Sequence, residues 1–498
     1  MLSVLKITHM HKVKRRICKT SLLMSDAALF CAAYGLLRSP ADSAIPLLAR
    51  SVQPGIAGGA SLGGLHWFTI LFCMFGGMSY FYGHYSRRRL FWDDAREILA
   101  GLGILGLLDL AVFDFSGDIH HAFSRIAPWF FLAAGIPLGR SFAKRGLRAI
   151  GFWDVPTLIV GSGDNAVEAY FTLTHEKVLG YDVRGFVNLS EQHPLSADLP
   201  PAVPVLRLGL QDPMNPKIDV QSEHSPFFGH HVVVAPDDVG DPSYFRVIDL
   251  LSAHGYQIDV APPLRGLPLM GMEVSHVFGR EAVILHTRNS LARPVKRVLK
   301  RGVDLILALI ACLVFLPLLA FLAIRIRAED GGPLFFYQER MGYKGKTFRC
   351  IKFRSMRVDA EAALARWKDE NPALWDEYQK NNFKIRNDPR VTKVGHFLRA
   401  TSLDELPQII NVLKGEMSLV GPRPLLEREI ETYGHAYLHY CRVRPGITGI
   451  WQISGRSNTS FMDRAYYDEW YIKNWSLWYD LVIIMKTIPA VLKQDGAY

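Results

Sequence analysis

The residues best suited to chemistry lie in Arg399–Pro424, RATSLDELPQIINVLKGEMSLVGPRP. Asp404 and Glu405 are adjacent carboxylates at the start of an expected helix, and Arg423 stands between Pro422 and Pro424. Neighbouring helical side chains point about 100° apart, so the two acids cannot do one job. One can attack an electrophile while the other holds a metal ion. Ser402 and Glu405 fit an S-x-x-E capping box, which makes Ser402 the expected N-cap and leaves Asp404 spare. Pro407 stiffens the first turn, where its missing N–H costs least. Leu406, Ile409, Ile410 and Leu413 follow helical spacing, and Lys414-Gly415 supplies a stop. The same letters also describe a plain, well-capped amphipathic helix.

The elements that must position these residues belong to a chain of 498 residues, enough for roughly three domains. A net charge of +10 with a mean hydropathy of +0.10 suits a membrane protein with a basic cytoplasmic face better than a nucleic-acid binder. The six cysteines form no C-x-x-C pair and are read as reduced, neither metal-binding nor disulfide-forming. The basic first 20 residues lack the pattern of a cleavable signal peptide.

Residues 1–150 carry four apolar segments, near Ser21–Leu37, His66–Tyr82, Ile98–Phe113 and Ile126–Leu138, read as four transmembrane helices. Basic clusters at 12–19, at Arg87-Arg88-Arg89 and at Arg140–Arg148 place both ends of this region in the cytoplasm. Asp109 and Asp114 are expected near the exit interface of the third segment, with a buried ion site as the other reading. Residues 151–290 read as a Rossmann-like α/β domain: VPTLIVGSG is a strand entering a glycine turn, with Gly161-x-Gly163-x-x-Ala166 as a weak dinucleotide fingerprint. The ribose-binding acid expected about 20 residues on is missing, and Asn188 stands in that region, so no nicotinamide cofactor is expected.

Residues 291–327 form a basic linker and an apolar run, Leu305–Ile324, long enough to cross a bilayer. Both flanks are basic and Pro317 interrupts the run, so a re-entrant helix broken at Pro317 is expected in place of a span. Residues 328–498 are polar and rich in Arg, Lys and Trp. They contain a β-type stretch ending at Lys352 and Arg354, a charged helical insertion, and the loop VRPGITGIWQISGR with Arg444 and Arg456. The aromatic stretch at the end, with Trp470, Tyr471, Trp475, Trp478 and Tyr479, is expected to lie at a membrane interface. A basic, membrane-apposed domain suits an anionic, phosphorylated substrate, and nothing suggests a zinc site.

The motifs KFRSM, TSLDELPQIINVLKGEMSLVGPRP and VRPGITGIWQISGR, with Lys300-Arg301-x-x-Asp304 before them, resemble the polyprenyl-phosphate phosphoglycosyl transferases of the monotopic superfamily. The four spans and α/β domain resemble its large bacterial branch, and the ending is similar to undecaprenyl-phosphate galactose phosphotransferases. The resemblance implies transfer of a sugar 1-phosphate from a UDP-sugar to undecaprenyl phosphate at the bacterial inner membrane, releasing UMP. It implies Asp404 as nucleophile forming a covalent phosphosugar, Glu405 as the Mg²⁺ ligand, and Pro422, Arg423 and Pro424 at the substrate phosphates. Lys352, Arg354, Arg444 and Arg456 are further expected phosphate-binding residues, while Lys300, Arg301, Asp304 and Pro317 belong to the re-entrant helix. Many members carry Ser before that proline, where this chain has Leu316. The expected partners are the lipid bilayer, a second copy in a homodimer and downstream glycosyltransferases, with no nucleic acid. Glucose in place of galactose, and a non-catalytic scaffold of polysaccharide assembly, are the alternatives. The intact acid pair argues against the scaffold, and a tethered dehydratase would need a Tyr-x-x-x-Lys pair that the α/β domain lacks.

Overall fold

The computed structural model describes residues 2–37, 57–112 and 119–492, apart from 190–194, 209–224, 239, 265, 268, 270–271, 277–282, 287–290, 292–293, 361, 365, 367–374, 376–387 and 455–460. Asp114, Arg456 and most of the charged insertion lie outside the described residues. The chain divides into two compact units, Met1–Pro263 and Leu264–Tyr498.

The first unit opens with four helices, α1 (Leu2–Leu37), α2 (Ala57–Phe81), α3 (Phe91–Val112) and α4 (Ile119–Ala149). Phe30, Leu71, Phe75, Leu105, Leu132 and Ile136 fill the core between them. Among the described residues, Val13–Gly35 and Ile126–Ala149 are the stretches of this unit long and apolar enough to cross a membrane. Asp109, near the end of α3, is 2% exposed and accepts hydrogen bonds from the indoles of Trp67 and Trp129, both at 2.9 Å. A buried carboxylate needs such donors to offset lost hydration. Arg88, from the basic triplet, donates to the carbonyls of Trp153 and Leu179 and lies over the Trp153 ring.

A five-stranded parallel sheet follows, in the order β3-β2-β1-β4-β5: β1 Val155–Val160, β2 Tyr181–Asn188, β3 Val205–Arg207, β4 His231–Val234 and β5 Ile258–Val260. Strands buried on both faces read as continuous apolar runs, which explains LIV and VVV in β1 and β4. Helices α5 (Asp164–His175) and α6 (Pro242–Ala253) follow β1 and β4. The order reverses beside β1, where the glycine turn lies, as in doubly wound folds. Asp237 occupies the start of α5: its carboxylate accepts from Asn165 N at 2.8 Å, and a Cβ on Gly163 would come within 1.9 Å of it.

The second unit contains the hairpin β6–β7 (Glu273–His276, Val283–His286), then α7 (Pro294–Asp330), a 37-residue helix with Pro317 inside it. It meets the length and apolarity criteria for a span. Leu313, Val314, Leu316, Phe321 and Ile324 leave its flanks exposed and apolar. A hairpin, β8 (Phe335–Met341) and β9 (Thr347–Phe353), turns through Lys344 and Gly345, both at positive φ. Helices Lys393–Thr401 and Gln408–Lys414 lead into a short parallel pair, β10 (Ser418–Val420) with β11 (Gly446–Thr448). The aromatic ending splits into helices Phe461–Lys473 and Leu477–Leu492. Tyr471 and Trp475 are core residues here, 2% and 3% exposed, while Trp470, Trp478 and Tyr479 are half-buried. Leu481, Met485 and Ile488, at helical spacing on the last helix, are the exposed apolar residues.

Candidate active site

The backbone around the acid pair differs from the expected capped helix. Helix Lys393–Thr401 runs up to Ser402, which takes a left-handed conformation (φ 56°) and makes no side-chain cap. Asp404 and Glu405 therefore sit on a single 3₁₀ turn, Leu403–Glu405, wedged between two helices. The second helix starts only at Gln408, behind Pro407. Its buried face is Gln408, Ile409, Asn411 and Val412, while Ile410 and Leu413 are each 37% exposed, so the expected apolar stripe is displaced. Asn411 explains the displacement. Fully buried, it accepts from Ile351 N at 3.0 Å and donates to Arg349 O at 2.8 Å and to Glu416 at 2.6 Å. It locks the helix to β9, one residue from Lys352. The expected stop holds: Gly415 adopts φ 88° and its N–H caps the last carbonyls.

That register brings Lys352 Nζ to 2.7 Å from Glu405 Oε1. Burial raises the Glu405 pKa, but the Lys352 charge and hydrogen bond, then Arg423 and Arg340, outweigh it and hold the carboxylate below its ordinary value. Asp404 goes the other way. Burial first, then the adjacent Glu405 charge, push it up to about 6 against the pull of Lys352 and Arg399. The neighbours thus differ in kind, one a firm anion and the other poised to ionise near neutrality. Burial lowers the Lys352 pKa, but the two carboxylates more than compensate and raise it overall.

The arginine loop is built on β10 and held from four sides. Gly421, Gly446 and Gly449 touch backbone to backbone: a Cβ on Gly446 would lie 2.1 Å from Gly421 N, and one on Gly449 2.4 Å from Gly421 O. Asp468 accepts from Arg423 N at 3.3 Å and from Tyr433 Oη at 2.7 Å, and burial pushes its pKa up to about 7. Arg340 donates to Pro424 O at 3.0 Å, and Tyr440 Oη meets Leu425 N at 3.3 Å. Helix α7 secures the strand itself. Lys300 Nζ donates to Val420 O at 3.1 Å and to Asp480 at 2.8 Å; Asp304 accepts from Leu419 N at 3.2 Å and lies 2.8 Å from Ser418 Oγ. Tyr471 and Trp475 also donate to Asp480, at 2.8 and 2.9 Å. Lys300 and Asp304 therefore position the loop that carries Pro422, Arg423 and Pro424.

Among the other expected phosphate ligands, Arg354 and Arg444 also make contacts that hold the fold. Arg354 is paired with Asp330 at the end of α7. Arg444 Nε donates to Gly415 O at 2.7 Å, and Arg301 reaches Leu413 O at 3.3 Å, so both cap helix Gln408–Lys414. Sequence reasoning missed Arg340, Arg399, Asp468 and Asp480; the one local signal was a lone acid, Asp480, in an apolar aromatic run. Among the described residues no group of three or more His, Cys, Asp or Glu side chains gathers as a metal cage. Mg²⁺ needs only one or two carboxylates beside substrate phosphates, and the hard oxygen donors of Asp404 and Glu405 fit that ion.

Residues 295–494 match the family described as bacterial sugar transferase. The chain is 39% identical over 419 residues to the UDP-galactose-lipid carrier transferase of Erwinia amylovora, which spans 83% of this chain and 84% of that protein. The chain belongs to the bacterial sugar transferase family. The transferase is also 36% identical over 415 residues, with the same shares covered, to the undecaprenyl-phosphate galactose phosphotransferase of Salmonella typhimurium. The exopolysaccharide production protein ExoY of Rhizobium meliloti matches 206 residues at 46% identity, 41% of this transferase and 91% of ExoY. The transferase is thus a membrane-associated sugar-phosphate transferase whose carboxylate pair lies inside the family-defining segment.

Proposed function

We propose that the transferase moves a sugar 1-phosphate from a UDP-sugar to undecaprenyl phosphate, releasing UMP, through a covalent phosphosugar on Asp404. Galactose 1-phosphate is the proposed cargo, supported by the names of two relatives that match over most of their length. The carrying observation is the division of labour within the acid pair: Glu405 anchored at 2.7 Å by Lys352, and Asp404 half-buried beside it and left to react.

In this reading Arg423 and Lys352 bind the diphosphate, and their charges offset the repulsion between substrate and carboxylate. An Asp404 oxygen attacks the phosphorus of the sugar phosphate. The bridging P–O bond breaks and its electron pair leaves on UMP. A phosphate oxygen of the lipid then attacks the same phosphorus, and the pair in the Asp404–P bond returns to the carboxylate. Mg²⁺ held by Glu405 would supply further positive charge to the phosphates. Positive-inside asymmetry supports a multi-pass inner-membrane protein with its catalytic unit on the cytoplasmic face and α7 re-entrant at Pro317. A homodimer that hands its lipid-linked sugar to glycosyltransferases, as the first membrane step of exopolysaccharide, capsule or O-antigen synthesis, completes the proposal. Purified protein given undecaprenyl phosphate and a panel of UDP-sugars should release UMP fastest with UDP-galactose. Equal or faster release with UDP-glucose would reassign the sugar, and no release with any would refute the reaction.

A further inference from the structure

A groove adjoins the site along β8. Directly opposed residues of an antiparallel pair share a face, so Gln338, opposite Cys350, and Arg340, opposite Phe348, point to the same side of the hairpin as Lys352. The Gln338–Cys350 pair lies one same-face step, about 7 Å, from Lys352. Gln338 and Arg340 line a groove of about 900 Å³ whose other wall is the segment after Pro424, with Leu426, Glu427, Arg428 and Glu431. Small-molecule sites fall in that size range. Arg340 also donates to Pro424 O at 3.0 Å, which ties this end of the groove to the arginine loop.

The polar groups of the groove select its ligand. Arg340 is engaged, since it also donates to Gln338 Oε1 at 2.7 Å. A guanidinium only donates, so Gln338 must give it the amide oxygen and keep its NH₂ for the groove. Glu427 and Glu431 are four residues apart on the turn Glu427–Glu429 and helix Ile430–Tyr433, a spacing that puts both on one face. Glu429 is turned away, its carboxylate accepting from Leu426 N at 2.8 Å. Glu339 makes a third carboxylate in the lining, and among the described residues no aromatic ring lines the groove. Those charges repel a phosphate, and a nucleobase finds no ring to stack on. A neutral polyol suits them, because each hydroxyl can donate to a carboxylate or accept from the amide. In the reaction proposed above, the phosphorus that Asp404 attacks is bonded directly to the sugar, and the groove adjoins both Lys352 and the arginine loop. We propose that this groove binds the hexose of the donor, with Glu427 and Glu431 accepting from its hydroxyls and Gln338 donating, and that these three side chains set which UDP-sugar is used. This rests on the proposed reaction.

The test uses full-length protein in lipid nanodiscs with Glu427→Gln, Glu431→Gln or both; the two residues are exposed, so the fold should persist. Binding is read by calorimetry in Asp404→Asn protein, which lacks the proposed nucleophile. There UDP-galactose should bind more tightly than UDP. Adding both substitutions should weaken UDP-galactose about tenfold, the scale of one hydrogen bond to a charged group, and leave UDP unchanged. With Asp404 restored, kcat/KM for UDP-galactose should fall toward that for UDP-glucose. Equal weakening of UDP and UDP-galactose would put the nucleoside in the groove, and a raised KM for undecaprenyl phosphate alone would give the groove to the lipid. Either result, or no change in any constant, overturns the inference. Wild-type protein that turns over normally beside indifferent variants refutes this inference alone. The expected binding pattern in protein that never releases UMP refutes the reaction and leaves the hexose subsite standing.

Discussion

Lys352 and Glu405 are joined at 2.7 Å across the gap between β9 and the 3₁₀ turn of the acid pair. The contact occupies Glu405, and in the proposed mechanism Asp404 is the carboxylate that reacts. Among the described residues Asp404 has no such anchor, and desolvation, then the charge of the adjacent Glu405, keep its proton affinity high.

Asp404→Asn should keep the shape of the turn and remove the nucleophile, so UMP release should fall by several orders of magnitude. Without lipid acceptor, wild-type protein incubated with UDP-galactose should gain one hexose phosphate on the peptide holding Asp404, read by mass spectrometry. An adduct on any other residue would refute the assigned nucleophile. Glu405→Gln should also be inactive, and high Mg²⁺ should restore little.

Turnover should fall as pH drops through about 6, where Asp404 takes up its proton. The fold should not weaken over the same range on account of this group. Its folded pKa lies above the unfolded value, so the folded state binds the extra proton between about 4 and 6 and gains stability as pH falls. Activity and thermal unfolding measured together across pH 5–8 should therefore diverge. Parallel loss of both would mean that unfolding sets the acid limb.

Asn411→Ala strips partners from Ile351 N and Arg349 O in a dry site. It should cost about 2–4 kcal/mol of stability. It should also loosen Lys352 from Glu405, so kcat should fall in protein that is still folded at low temperature. Chemical denaturation and single-turnover adduct formation would check the two parts separately.

The start of α5 already holds the Asp237 carboxylate, where a cofactor pyrophosphate would have to lie. Added NAD should leave the melting temperature and turnover unchanged. Gly163→Ala should destabilise the α/β domain, because its Cβ would strike that carboxylate. Protein purified with stoichiometric NAD(H) would contradict both the occupied turn and the missing ribose acid.

Cysteines introduced singly at Arg297 and Ala328, in a variant lacking the native six, should be labelled from the same side of the membrane. Opposite labelling would make α7 a true span. Pro317→Leu should favour a straight helix and reduce activity by misplacing the catalytic unit.

Much of this was legible in the sequence. The parallel strands were, because burial on both faces leaves unbroken runs such as Leu158–Val160 and Val232–Val234. The acid pair stood out as two adjacent carboxylates and Arg423 as an arginine between two prolines, and the fold brings Arg423 near enough to act on Glu405. The turn that holds the pair was misread: Ser402 has the letters of a cap, yet the preceding helix runs into it and forces a left-handed residue there. The supports of the arginine loop were hidden because they are non-local; Asp468 reaches Arg423 across 45 residues and Lys300 reaches Val420 across 120. The contacts of Arg354 with Asp330 and of Arg444 with Gly415 O were hidden too, because charge alone does not show which partners a fold gives a cation.

The contact among Gly421, Gly446 and Gly449 bears on how this enzyme can be re-engineered. No amino acid with a side chain fits at those points without separating two backbones, so they admit no variation that could encode a different sugar. A mutant library built to change donor choice should hold these three codons constant and spend its diversity on the side chains around them.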